Sequence, residues 1–389
     1  MCKKLYYIMS ITSMCFIIAL GGGGCVSLEK ESDNAESNEQ IEIAVYEGVM
    51  PNELPECINA ELKIGVTLDG YLDVSEELTE YKLKRTVLTR HVLESKWVVE
   101  NFLKTQDNLG VKEKKSSKKQ DELLENGKFM EVYTVELDGG WIQCRDLYFL
   151  FRYNDISLFD TYYRNESSDG SYLDIVPRGK ELGFISIEEA KKKFQNSLSF
   201  LELKNMLEPE VFTFTADFIQ KVQNEECEKA KELGREEYIK RYDIDSSVED
   251  GYYYIRMKQG VQGVPIYCLQ GIDETISGTY YNLPTSAECI YGKTGIVNLN
   301  ITNLYDIKEE EEVEIKSFCD ILKKFCSNHG TVETTIKYIG LSYLPIVKDN
   351  NKLEFNGQPV WYFVYDEMLG GLTTRKITIY NAETGEIIK

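Results

Sequence analysis

The chain has 389 residues, 65 acidic against 44 basic side chains and a formal net charge of −21. So acidic a protein repels phosphate backbones and anionic headgroups, which argues against nucleic acid as a partner. Its two histidines, His91 and His329, lie far apart, too few for a histidine-built zinc site or a His-x-x-Glu-His signature.

Lys3 and Lys4 precede an apolar run over residues 5–20, then Gly21, Gly22, Gly23, Gly24 and Cys25. A charged start, an apolar stretch and small residues are the three parts of an export signal. The segment resembles a bacterial lipoprotein signal, which implies cleavage before Cys25, acylation of its thiol and residence on the outer face of the cell membrane. It departs from the usual pattern at Gly22, where a leucine is expected; the nearest leucine is Leu20. An uncleaved signal anchor is the alternative, because residues 5–24 approach bilayer-spanning length. Residues 25–40 are polar and acidic and are expected to form a disordered tether. The membrane is thus an expected partner through the lipid, since the acidic body has no electrostatic attraction to it.

The remaining chain is long enough for two or three domains with cores of their own, without disulfide staples. Beyond Cys25 it carries Cys57, Cys144, Cys227, Cys268, Cys289, Cys319 and Cys326. With no CxxC and an odd count, free thiols are the better reading. Cys319 and Cys326 share a helix face about 10 Å apart, beyond disulfide reach.

From Ile41 the pattern becomes globular. A helix is expected after Thr89, with Val92, Val99, Phe102 and Leu103 on one side, and strands around residues 130–137 and 141–153. The basic stretch over residues 112–119 between them reads as a solvated loop, or else as a contact for anionic polymer. Pro177-Arg178-Gly179-Lys180 marks a boundary, and Ser186-Ile187-Glu188-Glu189 is a capping box opening a helix through Ala190, Phe194 and Leu198. A polar helix is expected over 217–241, then a three-stranded meander at 252–258, 263–270 and 288–299. Glu309, Glu310, Glu311 and Glu312 sit where they would complement the start of the next helix. That helix carries Ile315, Phe318, Cys319, Leu322, Phe325 and Cys326 as an apolar stripe and stops at Gly330. Strands are expected around 337–347, 359–365 and 375–388.

Two local matches suggest duplication: residues 261–267 parallel 355–361, and Gly292-Lys293-Thr294-Gly295-Ile296-Val297 parallels Ala382-Glu383-Thr384-Gly385-Glu386-Ile387. Asn381-Ala382-Glu383-Thr384-Gly385-Glu386-Ile387 resembles the closing hairpin of the PepSY family of exported small domains. Gln259 to Ile266 resembles the strand pair of thermolysin-type propeptides and of the YycI-type regulators of sensor kinases. The whole chain looks like Firmicutes lipoproteins that carry such domains. The fold expected is α+β: an N-terminal α+β domain (41–178), then two helix-plus-antiparallel-sheet, PepSY-like units at 179–308, with a helical insertion, and 309–389, after the signal (1–24) and tether (25–40).

The resemblance implies a lipid-anchored, non-catalytic module that binds or regulates an envelope protein. No cofactor, metal or catalytic residue is expected. The oligomeric state is left open. The alternative is a cell-envelope hydrolase using a carboxylate pair on glycan or peptide, which requires a cleft holding two carboxylates of shifted pKa flanked by aromatic rings. Trp361 and Tyr267 occupy matching positions and, with Tyr362, are candidates for a binding surface, against the reading that such rings pack the core.

Overall fold

A computed structural model describes residue 43 and residues 46–106, 109–120, 129–153, 179–232, 234, 251–266, 285–348 and 351–388. In chain order, β1 (Cys57–Lys63), β2 (Val66–Asp73) and β3 (Lys82–Arg90) precede helix α1 (Ser95–Thr105), and β4 (Val111–Gln120), β5 (Phe129–Leu137), β6 (Gly140–Arg145) and β7 (Tyr148–Tyr153) follow it. The middle of the chain gives α2 (Ile187–Leu198), β8 (Glu210–Phe214), α3 (Ala216–Glu232), β9 (Tyr252–Lys258), β10 (Gly260–Val261) and β11 (Val264–Pro265). The last third gives β12 (Ser286–Gly292), β13 (Gly295–Thr302), β14 (Tyr305–Glu314), α4 (Phe318–Asn328), β15 (Glu333–Lys348), β16 (Asn351–Leu369) and β17 (Leu372–Asn381).

The expected α+β succession of helix-plus-sheet units does not form: the protein is mostly β, with 54% strand and 20% helix. A seven-stranded sheet has the order β1-β2-β15-β16-β3-β14 with β17 also on β16, and an eight-stranded sheet has the order β4-β5-β6-β7-β13-β12-β9-β8. The reason is long-range pairing. β3 lies between β16 and β14, and β2 runs parallel to β15, so strands from both ends of the chain share one sheet. The 19-residue β16 pairs with β15 along one side and with two strands on the other, β3 at Glu354–Gly357 and β17 from Val360 to Leu369.

Local signals hold where they are strong. Ser186 caps α2 by accepting the Glu189 amide at 3.2 Å, and Ser317 caps α4 by accepting that of Asp320 at 3.1 Å. Each such cap is worth about 1 kcal/mol. The α4 stripe is buried against the seven-stranded sheet beside Trp361 and Phe363. Ala190, Phe194 and Leu198 of α2 join Val98, Val99 and Phe102 of α1 on one face of the eight-stranded sheet. Ile219 of α3 packs on its other face with Phe212, Tyr254 and Ile290.

Two charged segments were misread by pattern alone. Residues 112–119 are not a loop but part of β4, the edge of the eight-stranded sheet. The four glutamates at 309–312 do not cap a helix; they lie in edge strand β14, where Glu309 meets Lys84 and Glu311 meets Arg85 on β3. Alternation of charge with charge gives no apolar period, so an edge strand facing water on both sides is invisible to a hydrophobic pattern.

The proposed duplication is partly conformational. Lys293-Thr294 joins β12 to β13, and Gly295 and Gly385 both have positive φ, 109° and 71°, as the two Thr-Gly hairpins require. The other match fails. Gln262 and Gly263 (φ 54° and 75°) form a two-residue hairpin between β10 and β11, whereas residues 355–361 run straight through β16. The β10–β11 hairpin instead clamps the two sheets together. Gln259, buried where β9 ends, donates to the Tyr305 carbonyl at 2.9 Å and accepts the Tyr305 amide at 2.7 Å. Val261, Val264 and Ile266 then enter the core of the seven-stranded sheet.

Candidate binding surfaces

Trp361 and Tyr362 lie on β16 with their rings on opposite faces of the sheet, as strand alternation demands. Trp361 is 0% exposed, donates Nε1–H to the Lys316 carbonyl at 3.0 Å and tilts against Phe318. Tyr362 is 2% exposed and stacks on Tyr338 at 5.6 Å. Both rings are core, and neither offers a face to a ligand. Tyr267 and Cys25 lie outside the described residues, as do the signal, the tether and Cys268.

The histidines have local partners. His91 precedes α1 and sits 3.0 Å from Asp306. His329 ends α4, stacking on Phe325 with Nδ1 2.9 Å from its carbonyl and Nε2 3.2 Å from the Tyr365 hydroxyl. The described cysteines are free thiols, and burial pushes that of Cys144 up to about 12. Among the described residues no group of three or more His, Cys, Asp or Glu is placed to hold a metal ion, and no helix is long and apolar enough to cross a membrane.

One carboxylate stands out chemically. Glu288 on β12 is 4% exposed, and burial pushes its carboxyl up to about 8. Ser286 donates to its Oε1 at 2.8 Å. The register places Arg256 and Asn300 opposite it on the flanking strands. Arg256 gives Nε and Nη2 to Glu210 at 2.9 and 2.8 Å, so that carboxylate is committed to an ion pair. At pH 7 Glu288 is a neutral acid that can donate as well as accept, and Asn300, opposite it in the register, has a closed-off Oδ1 with no hydrogen-bond partner. Glu288 and Glu210 therefore do not make the solvent-open pair that glycoside hydrolysis requires.

Among the described residues, sheet edges and one apolar end stand open to solvent. The edges differ. β14 carries its glutamates and a bulge between Glu309 and Glu312; β4 carries Lys112, Lys114 and Lys115, the first lining a concavity of about 500 Å³ beside Trp141 and Gln143; β8 is five residues long. Such charges, bulges and shortness are the usual guards against unwanted strand pairing. On β17 residues 372–376 are exposed. Its other half is already covered, because Asn381 N donates to Glu386 O and Ile388 N to Ile379 O, both at 2.8 Å.

At the end of the seven-stranded sheet where β17 begins, apolar side chains gather. Ile64 (79% exposed), Leu369 (72%), Leu372 (75%) and Met368 (47%) are brought there by the register Val66–Thr334, Glu333–Met368 and Leu369–Leu372. Ile64 tips the β1–β2 turn. Gly370 and Gly371, both with positive φ, turn β16 into β17. Sequence reasoning passed over this end, although Met368-Leu369-Gly370-Gly371-Leu372 is a signal: hairpin turns are normally flanked by polar residues at their tips.

No family model matches the chain, and no curated protein matches it. A crystal structure of an uncharacterised protein from Eubacterium rectale is similar over 91% of this chain and 98% of its own, with a TM-score of 0.64 and 18% identity, which shows a shared fold. The C-terminal domain of Bacillus megaterium YpeB aligns over 76% of this chain and 93% of its own with a TM-score of 0.30 and 12% identity.

Proposed function

We infer that the chain is a lipid-anchored extracytoplasmic binding module that engages an envelope protein by strand addition, without covalent chemistry. The observation that carries this reading is the outer edge of β17. Its far half already accepts an added strand, the chain's own residues 386–388, while Thr373, Thr374 and their neighbours stay exposed beside it. An extended partner segment continuing that line would gain main-chain hydrogen bonds, with side-chain contacts supplying specificity. The lipoprotein-like start of the sequence supports the location, and the likeness of Gln259 to Ile266 to regulators of sensor kinases supports a regulatory partner.

The test is a photo-crosslinking residue in intact cells, at Thr374 and, as control, at Glu311 on the guarded edge of β14. The expected result is one stoichiometric protein adduct from position 374 and none from 311. Equal labelling at both, or no adduct at either, would refute strand addition at β17. Metabolic labelling with a clickable fatty acid, lost in Cys25→Ser, tests the anchor separately.

A further inference from the structure

We propose that the apolar end of the seven-stranded sheet is seated in the outer leaflet of the bilayer, so that the protein is held at the membrane by a lipid and by its own hairpin tips. The proposal rests on the anchored reading above. Ile64 at the β1–β2 tip and Met368, Leu369 and Leu372 at the β16–β17 tip form one row along the end of the sheet, with Glu333 of β15 between them. At about 4.8 Å per strand the row is about 14 Å long. It is convex, built from two tight hairpin tips. A convex aliphatic end suits a fluid apolar medium, which closes around it without needing a matched groove, as interfacial segments do.

Charge supports this occupant. Just behind the tips, Lys337 pairs with Asp69 at 3.0 Å, Arg375 with Asp366 at 2.9 Å, and Lys376 with Glu367. Glu61, Lys63 and Glu333 complete the belt. It holds four cations and five anions, a net charge of −1 on a chain whose net charge is −21. Here the general repulsion from anionic headgroups is locally small, and long Lys and Arg stems reach outward along apolar surface.

Reach is adequate. The described chain begins at Ile43, whose carbonyl accepts the Cys319 thiol in the first turn of α4. The far end of α4 lies at the apolar end, with Gly330 against Gly65. The helix spans about 16 Å, and the eighteen residues from Cys25 to Ile43 have a contour of up to about 60 Å. A lipid on Cys25 and the hairpin tips therefore reach the same surface, the pair of signals that makes anchoring firm.

The full acylated chain, reconstituted in phosphatidylcholine liposomes, tests this with an environment-sensitive fluorescent amino acid encoded at Leu372 or, as control, at the exposed Val92. The expected result is a blue-shifted emission at 372, quenched by spin-labelled lipid at least about twofold more than at 92. Leu369→Glu should lower that quenching. Water-like emission at both positions in floated protein overturns the proposal, as does a blue shift at 372 that needs protein concentration but no vesicles, which would assign the end to a second copy. Flotation of wild type but not of Cys25→Ser supports the anchor itself. If both float, the anchor reading fails while position 372 still decides the proposal; if neither floats, both fail.

Discussion

Glu288→Gln should stabilise the protein at neutral pH by an amount that depends on pH in a set way. Below pH 4.5, the ordinary value for this carboxyl, the group is protonated in native and unfolded chains alike and contributes nothing to their difference. Above it the unfolded chain releases the proton while the native chain keeps it, so stability falls by up to about 1.4 kcal/mol per pH unit. The fall ends near pH 8, where the buried carboxyl ionises as well. The loss amounts to about 3 kcal/mol at pH 7 and about 4 kcal/mol at pH 8, levelling near about 5 kcal/mol above it. Glutamine cannot ionise, keeps an oxygen to accept from Ser286, and places an amide donor where the protonated acid stood. Urea unfolding of both proteins from pH 4.5 to 9 should show a gap between variant and wild type that starts near zero, widens through this window and then levels. A gap of constant size across the range would refute the argument, because it would owe nothing to ionisation.

Three further outcomes follow from packing. Trp361→Ala removes the largest fully buried side chain from between α4 and β16 and should cost about 3–5 kcal/mol in denaturant midpoint analysis; a loss under 1 kcal/mol would show the ring is not core. Gly340→Ala puts a methyl 2.4 Å from the Tyr362 ring, which is also stacked on Tyr338, and should cost about 1–3 kcal/mol and alter the near-ultraviolet tyrosine signal. Native-state alkylation at pH 8, read by mass spectrometry, should modify exposed Cys57 well before buried Cys144, Cys289, Cys319 and Cys326; labelling in any other order would contradict the burial described.

The sequence revealed elements better than it revealed their partners. The Ser186 cap, the α4 stripe and the Thr-Gly hairpins depend on residues within four or five positions of one another, and all are found where the pattern put them. β4 and the 309–312 stretch of β14 escaped because their side chains face water on both sides, leaving Lys and Glu where a period would be sought. The sheet order escaped for another reason. Whether Leu83 of β3 sits beside Val313 and Leu88 beside Phe355 is settled by global packing, since several apolar strands could satisfy the same alternation. Glu288 was one of 65 acids until burial singled it out, and Trp361 was ambiguous between groove and core for the same reason.

The position of β3 between strands from the last quarter of the chain sets the order of events at birth. About two hundred residues separate β3 from β14, so closing that loop costs about 5 kcal/mol of chain entropy before any pairing is gained. No partner for β3 exists until the C-terminal strands have been delivered. During synthesis this delay leaves β2 with one open edge and β3 with two, where a holding chaperone would have its substrate.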